Sequence, residues 1–192
     1  MRKWMWLAVL FVLTGVGCAS TSPKDEGDDH FRKDKYEPAI SKYDEHLSQE
    51  PGDYEALFKR AAAYDQSGQS ARALAAYSSI IKKFPNQAEP RLFRARLLFQ
   101  EHEAISALRD VDRILSGMEN VHANTRAMAL GLKGEIYYKQ GDYERSSEAF
   151  NQARSSSSDN EDFKGTDSYL AILINASRVQ FALGKFRSSK TY

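Results

Sequence analysis

The chain has 192 residues, 42% of them apolar and 28% charged, a composition that can bury a core and is too apolar for a disordered tail. Its 27 Lys and Arg against 26 Asp and Glu leave a net charge of +1, which supplies no long-range pull on nucleic acid. The single cysteine, Cys18, excludes an internal disulfide framework and a cysteine-built zinc site.

At the amino end, Arg2 and Lys3 precede the apolar run Trp4 to Leu13, and Thr14-Gly15-Val16-Gly17 lead to Cys18. A basic start, a short apolar stretch and small residues form a signal-peptide layout over 1–17. A spanning helix needs roughly 20 apolar residues, so the run is too short for a transmembrane anchor. The small residues before Cys18 resemble the lipobox of bacterial lipoproteins, although Gly15 stands where that family usually has Leu. The resemblance implies cleavage before Cys18, acylation of its thiol and a tether over 18–22. Each buried methylene of such acyl chains contributes about 0.8 kcal/mol to membrane attachment. Ala19, in place of Asp, implies sorting to the outer membrane, facing the periplasm. The alternative is an ordinary cleaved signal peptide with an incidental cysteine. Beyond it, the acidic stretch Asp25 to Asp29 reads as a solvated tether, while Ser22-Pro23-Lys24-Asp25 has the form of a helix start, with a cap, a proline at N1 and an acid at N3.

The remaining chain repeats. Pro51 and Pro85, Tyr43 and Tyr77, and Ala39, Ala73 and Ala107 recur at a step of 34 residues. Starting a unit at Tyr54 puts Ala61 at position 8, Tyr64 at 11, Gly68 at 15, Ala73 at 20, Tyr77 at 24 and Pro85 at 32. A unit from Ala88 has Ala95, Leu98, Ala107 and Val111 at the matching places but His102 where glycine is usual, which predicts an irregular turn. A unit from Ala127 carries Gly134, Tyr137, Gly141, Tyr143, Phe150 and Ala153, with Ser146 in place of the small alanine. Upstream, Tyr36, Ala39, Tyr43 and Pro51 complete an earlier unit. Downstream, Leu173, Phe181, Leu183-Gly184 and Phe186 suggest a last unit whose second helix is a stub.

This pattern resembles the tetratricopeptide repeat. Residues three, four and seven apart share a helix face, so small residues at positions 8 and 20 let two helices approach while aromatics fill the gap. The resemblance implies an all-α, right-handed α-solenoid of helix-turn-helix repeats over 23–192. Its units lie near 22–53, 54–87, 88–121 and 127–160, with a partial one at 168–192. The step lengthens twice, by five residues before Ala127 and by nine before Leu170, and such insertions are expected in loops.

Nothing in the sequence assembles a catalytic or metal motif. His30, His46, His102 and His122 lack ligand spacing, and Glu101-His102-Glu103 lacks the two-histidine helical spacing of a metalloprotease. Asn160 to Ala171 imitates a calcium loop with Gly165 at its sixth position, but Ala171 stands where a bidentate Glu is required. No enzyme activity, cofactor or metal is therefore expected.

In tetratricopeptide arrays the first helices line a concave groove. Carried over, its positions 2, 5, 9, 12 and 13 give Phe58, Asp65, Leu92, Arg96, Phe99, Glu135, Tyr138, Lys139, Arg178 and Phe181 as the partner-binding set. Aromatics with Arg are typical interface anchors, although helical spacing alone also fits packing between units. Position 6 carries Lys59, Phe93, Leu132 and Asn175, so the carboxylate clamp of chaperone-binding members is not recognisable. The reading is a membrane-anchored scaffold or assembly factor of the cell envelope that holds a protein or peptide segment, in an architecture similar to pilotins and to BamD-like and NlpI-like lipoproteins. The rivals are an accessory subunit or hydrolase of cell-wall metabolism and a structural oligomerisation module, the latter through an apolar C-terminal helix.

Overall fold

A computed structural model describes the chain over residues 22–156 and 161–189. The signal-peptide layout, Cys18 and the first residue of the imitated calcium loop lie outside the described residues. Those described form α1 (Pro23–Arg32), α2 (Tyr36–Gln49), α3 (Tyr54–Gln66), α4 (Ser70–Lys83), α5 (Glu89–Gln100), α6 (Ala104–Gly117), α7 (Ala123–Lys139), α8 (Tyr143–Ser156), the one-turn α9 (Glu161–Lys164) and α10 (Asp167–Ser189). Four helix pairs, α1/α2, α3/α4, α5/α6 and α7/α8, stack in order, and α10 packs on the last of them. First helices also meet one another, α1 with α3, α5 with α7 and α7 with α10. The result is a right-handed α-solenoid.

Local chemistry explains where the helices begin and turn. The Ser22 hydroxyl accepts from the N–H of Asp25 while the Asp25 carboxylate accepts from that of Ser22, with Pro23 at the first helical position. The four turns inside the pairs are copies of one another. Asp34, Gly68, His102 and Gly141 take φ of 55°, 77°, 65° and 79°. The N–H of the following residue, Lys35, Gln69, Glu103 or Asp142, reaches back to His30, Tyr64, Leu98 or Tyr137 at 2.8–3.0 Å. These bonds satisfy carbonyls that a helix end leaves open. The turn at His102, expected to be irregular, is therefore regular; the histidine adopts the left-handed conformation that glycine holds at Gly68 and Gly141.

Inside each pair a small residue faces a large one. A Cβ added to Gly27 would lie 2.7 Å from the Tyr43 ring, and one on Gly134 would lie 2.8 Å from Phe150. Ala61 and Ala95 hold the same place in the middle units, and both are fully buried. Ala39, Ala73 and Ala107 are fully buried too, as is Ser146, whose hydroxyl donates to the Gly134 carbonyl at 2.8 Å and so enters the core satisfied. Buried Asp110 accepts from Arg94 at 2.7 Å through both oxygens, which ties α6 to α5. The core runs as successive clusters along the array, each shared by adjoining units, as stacking of incomplete repeats requires.

Three further expectations are corrected. The five extra residues before Ala127 do not enlarge a loop: α7 has 17 residues against 12 in α5, so the insertion adds a helical turn whose Thr125 and Ala127 are buried. The acidic stretch Asp25 to Asp29 is no tether but part of α1, where Asp28 accepts from Tyr43 at 2.8 Å and from Lys59 at 2.6 Å. Finally, no turn forms at Gly184, and α10 continues to Ser189 in place of a stub partner helix. Elongating a formed helix adds a hydrogen bond per residue, whereas a second helix needs a new and costly nucleus.

Candidate groove on the first helices

The helices α5, α7 and α10, with Phe150 of α8 beneath the second, enclose two adjoining hollows. The first, of about 220 Å³, is lined by Leu92, Phe93, Met128, Leu132 and Ile172, with Gly131 as a bare floor and Arg96, Glu135 and Ser168 among its polar groups. A Cβ on Gly131 would approach Ile172 Cγ1 to 3.0 Å, so the absent side chain is what lets α10 come close. The second, of about 250 Å³, has the rings of Phe99, Tyr138 and Phe150 with Lys139, Arg178, Asn175 and again Glu135.

Glu135 thus sits where the hollows meet. Its Oε1 accepts from Asn175 Nδ2 at 2.7 Å, and Asn175 Oδ1 in turn accepts from Arg178 Nη1 at 3.3 Å, which links α7 to α10. Burial pushes the Glu135 carboxyl above the usual carboxylate range, opposed by the Asn175 bond and by the fields of Lys139 and Arg178. On the other side, Arg96 pairs with Asp65 at 2.9 Å and lies 4.7 Å over the Phe93 ring, a bracket between α3 and α5.

Of the residues expected in the groove, Leu92, Arg96 and Glu135 line the first hollow, and Phe99, Glu135, Tyr138, Lys139 and Arg178 line the second. Asp65 acts at the rim through Arg96. Phe58 is placed differently, half-buried in an aromatic cluster between units, with Tyr54, Tyr77 and Phe93 at 5.2–6.1 Å. Phe181 stays 66% exposed on α10 and lines neither hollow. Sequence reasoning missed Phe93, Leu132 and Asn175, all at position 6 of their units. The signal was present: positions 2, 6, 9 and 13 follow the spacing of a single helix face.

A second polar cluster was also not foreseen. His46, Glu50 and Asp53 place one ligand-type atom each within 4.8 Å of one another. Asp53 is already committed there: its Oδ1 accepts from the N–H groups of Glu55 and Ala56, and its Oδ2 contacts His46 Nε2 at 2.8 Å and lies 3.5 Å from Lys24 Nζ. A cap with an ammonium at its side accounts for this arrangement.

Residues 24–88 and 128–160 match two tetratricopeptide-repeat family profiles. The chain is a tetratricopeptide-repeat protein. No curated protein matches it. Among solved structures, the tetratricopeptide array is similar to that of the MamA protein, at 20% identity over 86% of either chain with a TM-score of 0.61. A tetratricopeptide-repeat protein from Parabacteroides merdae shares 21% identity over 86% of this chain and 63% of that one, with a TM-score of 0.61. BtubC (BKLC) from P. vanneervenii shares 17% over 86% of this chain and 73% of that one, with a TM-score of 0.71. Such identities speak for the fold of the tetratricopeptide array alone.

Proposed function

We propose that this tetratricopeptide protein is a membrane-anchored scaffold of the cell envelope that holds a segment of a partner protein in its concave groove. The observation that carries the reading is the pair of hollows along α5, α7 and α10, where apolar floors, aromatic rings and a few charged groups converge on the face formed by first helices. The anchor is supported by the sequence alone, through the signal layout ending in Gly15-Val16-Gly17-Cys18. Acylated Cys18 would hold the array at the outer membrane, facing the periplasm.

Two experiments test it. A photo-crosslinking residue at Phe99 or Tyr138 in cells should yield a defined adduct that one at Ile105, 77% exposed on α6, does not; equal labelling from both would refute groove binding. Mass spectrometry of the mature protein should find an acylated terminus at Cys18, and Cys18→Ser should release the protein or leave it unprocessed. Unchanged processing and membrane retention in that variant would refute the anchor.

A second reading, self-association through α10, is favoured by Leu170 and Ile174, which are 54% and 45% exposed on that helix. Light scattering on a Leu170→Glu, Ile174→Glu variant decides it: a wild-type dimer that the variant dissolves supports it, and a monomer in both refutes it.

A further inference from the structure

We infer that the groove selects a peptide segment bearing a bulky apolar side chain beside an acidic one. This rests on the groove being the binding surface and adds the chemistry of its occupant.

The first hollow supplies the apolar half. Leu92, Met128, Leu132 and Ile172 surround it, and the floor is open only because residue 131 is glycine. Its volume of about 220 Å³ falls below the roughly 300–1,000 Å³ of small-molecule sites, so it admits a single large side chain. A polar side chain there would give up water for a lining that is mostly Leu, Met and Ile, with hydrogen-bonding side chains only at Arg96, Glu135 and Ser168.

The second hollow supplies the charge. Arg96 is neutralised by Asp65, so it contributes little field to a ligand. Lys139 and Arg178, both exposed, have no carboxylate within ion-pair distance among the described residues, and Arg178 bonds only to the neutral Asn175. Opposing these two cations is one carboxyl, Glu135, with one oxygen held by Asn175. A partner carboxylate entering between Lys139 and Arg178 gains two attractions against one repulsion from Glu135, whereas a partner ammonium meets two repulsions for one attraction. Glu135 Oε2, without a partner among the described residues, lies between the two hollows and can accept the backbone N–H that joins the two side chains.

The test uses full-length protein and soluble blocked hexapeptides of the form Ser-Gly-X-Z-Gly-Ser, with X as Ala, Leu or Phe and Z as Ala, Glu or Lys, followed by calorimetric titration. Leu-Glu and Phe-Glu peptides should bind at least about tenfold more tightly than Ala-Ala or Leu-Lys. Gly131→Leu should abolish the preference for Leu and Phe. Because that side chain presses on Ile172, a second variant avoids packing altogether: Lys139→Glu with Arg178→Glu, both at exposed positions, should invert the preference from Glu to Lys peptides. Equal binding of Glu, Ala and Lys peptides that Gly131→Leu still blocks would overturn the acidic selection while leaving the groove as the binding surface. Binding indifferent to both variants would overturn the inference and the groove reading together. No binding of any peptide at millimolar concentration, or wild-type self-association that the charge-reversed protein loses, would overturn the inference as well, the latter assigning the groove to a second copy of the chain.

Discussion

The Tyr43 hydroxyl donates to Asp28 Oδ1 at 2.8 Å, whereas Tyr77, one repeat later, buries its hydroxyl without a partner among the described residues. The reason is written 34 residues downstream of the partners: Asp28 and Lys59, which meet at 2.6 Å, give way to Ala62 and Phe93. An unsatisfied buried hydroxyl costs about 1–3 kcal/mol, and a made hydrogen bond contributes about 1 kcal/mol. Tyr77→Phe should therefore hold or raise stability, while Tyr43→Phe should lower it by about 1 kcal/mol. Urea melts of the two variants check this; a larger loss at Tyr77 would contradict it.

The left-handed turn residues make a second prediction. His102 holds φ of 65° with a side chain, so His102→Gly should raise stability by about 1 kcal/mol. Gly68→Ala and Gly141→Ala should each lower it by a similar amount, about 1 kcal/mol, and the loss would report backbone alone, since an added Cβ meets nothing within 4 Å at either site. Thermal melts that show no gain at His102 would mean that its turn is not the copy described.

Two other glycines separate packing from helix continuity. Gly134→Ala drives a Cβ to 2.8 Å from Phe150 and should destabilise by about 1–3 kcal/mol, the range of an overpacked core. Gly184→Ala meets nothing within 4 Å inside α10 and should stabilise by about 0.5–1 kcal/mol. A loss at Gly184 would restore the turn that the sequence suggested.

Most of the architecture was legible because the repeat fixes it. Ala39, Ala73 and Ala107, read as the tight crossing of each pair, are all fully buried, and the cap at Ser22 forms from the residues that announce it. What stayed hidden depends on how units are joined. Five extra residues before Ala127 carry no mark telling a longer loop from a longer helix, since the small and polar residues Ala123-Asn124-Thr125-Arg126 fit either until α6 packs against α7. The groove was legible by position and not by depth. Phe99 and Tyr138 line a hollow while Phe58, at an equivalent face, is taken up by Tyr54, Tyr77 and Phe93. Spacing cannot show which neighbours will claim an aromatic ring.

Acid should weaken the fold at the Asp53 cap. Burial alone would push its carboxyl up, but the Ala56 and Glu55 N–H groups, His46 and Lys24 hold it below the ordinary value of 3.8. A carboxyl lowered in the folded state contributes stability that is present above its unfolded value and is lost as pH falls through the folded one. Asp53→Asn keeps an oxygen for the cap and removes the charge facing His46 and Lys24. The variant should be less stable than wild type at neutral pH, with the difference closing as pH falls below the ordinary aspartate value of 3.8. A gap that persists at the acid end would show that the cap bond, not the charge, is what the substitution removed.

The packing of each unit onto the next, with no substantial contact reaching further along the array among the described residues, also decides how the molecule answers a pull. A domain with one shared centre gives way all at once. Here a load applied to one end falls first on a single helix pair, and its release opens the cluster it shares with the adjoining unit while the clusters further along stay intact. A chain stretched between a fixed surface and a moving partner would lengthen by steps, each the size of one pair, and shorten again as the pairs re-form on the units that held.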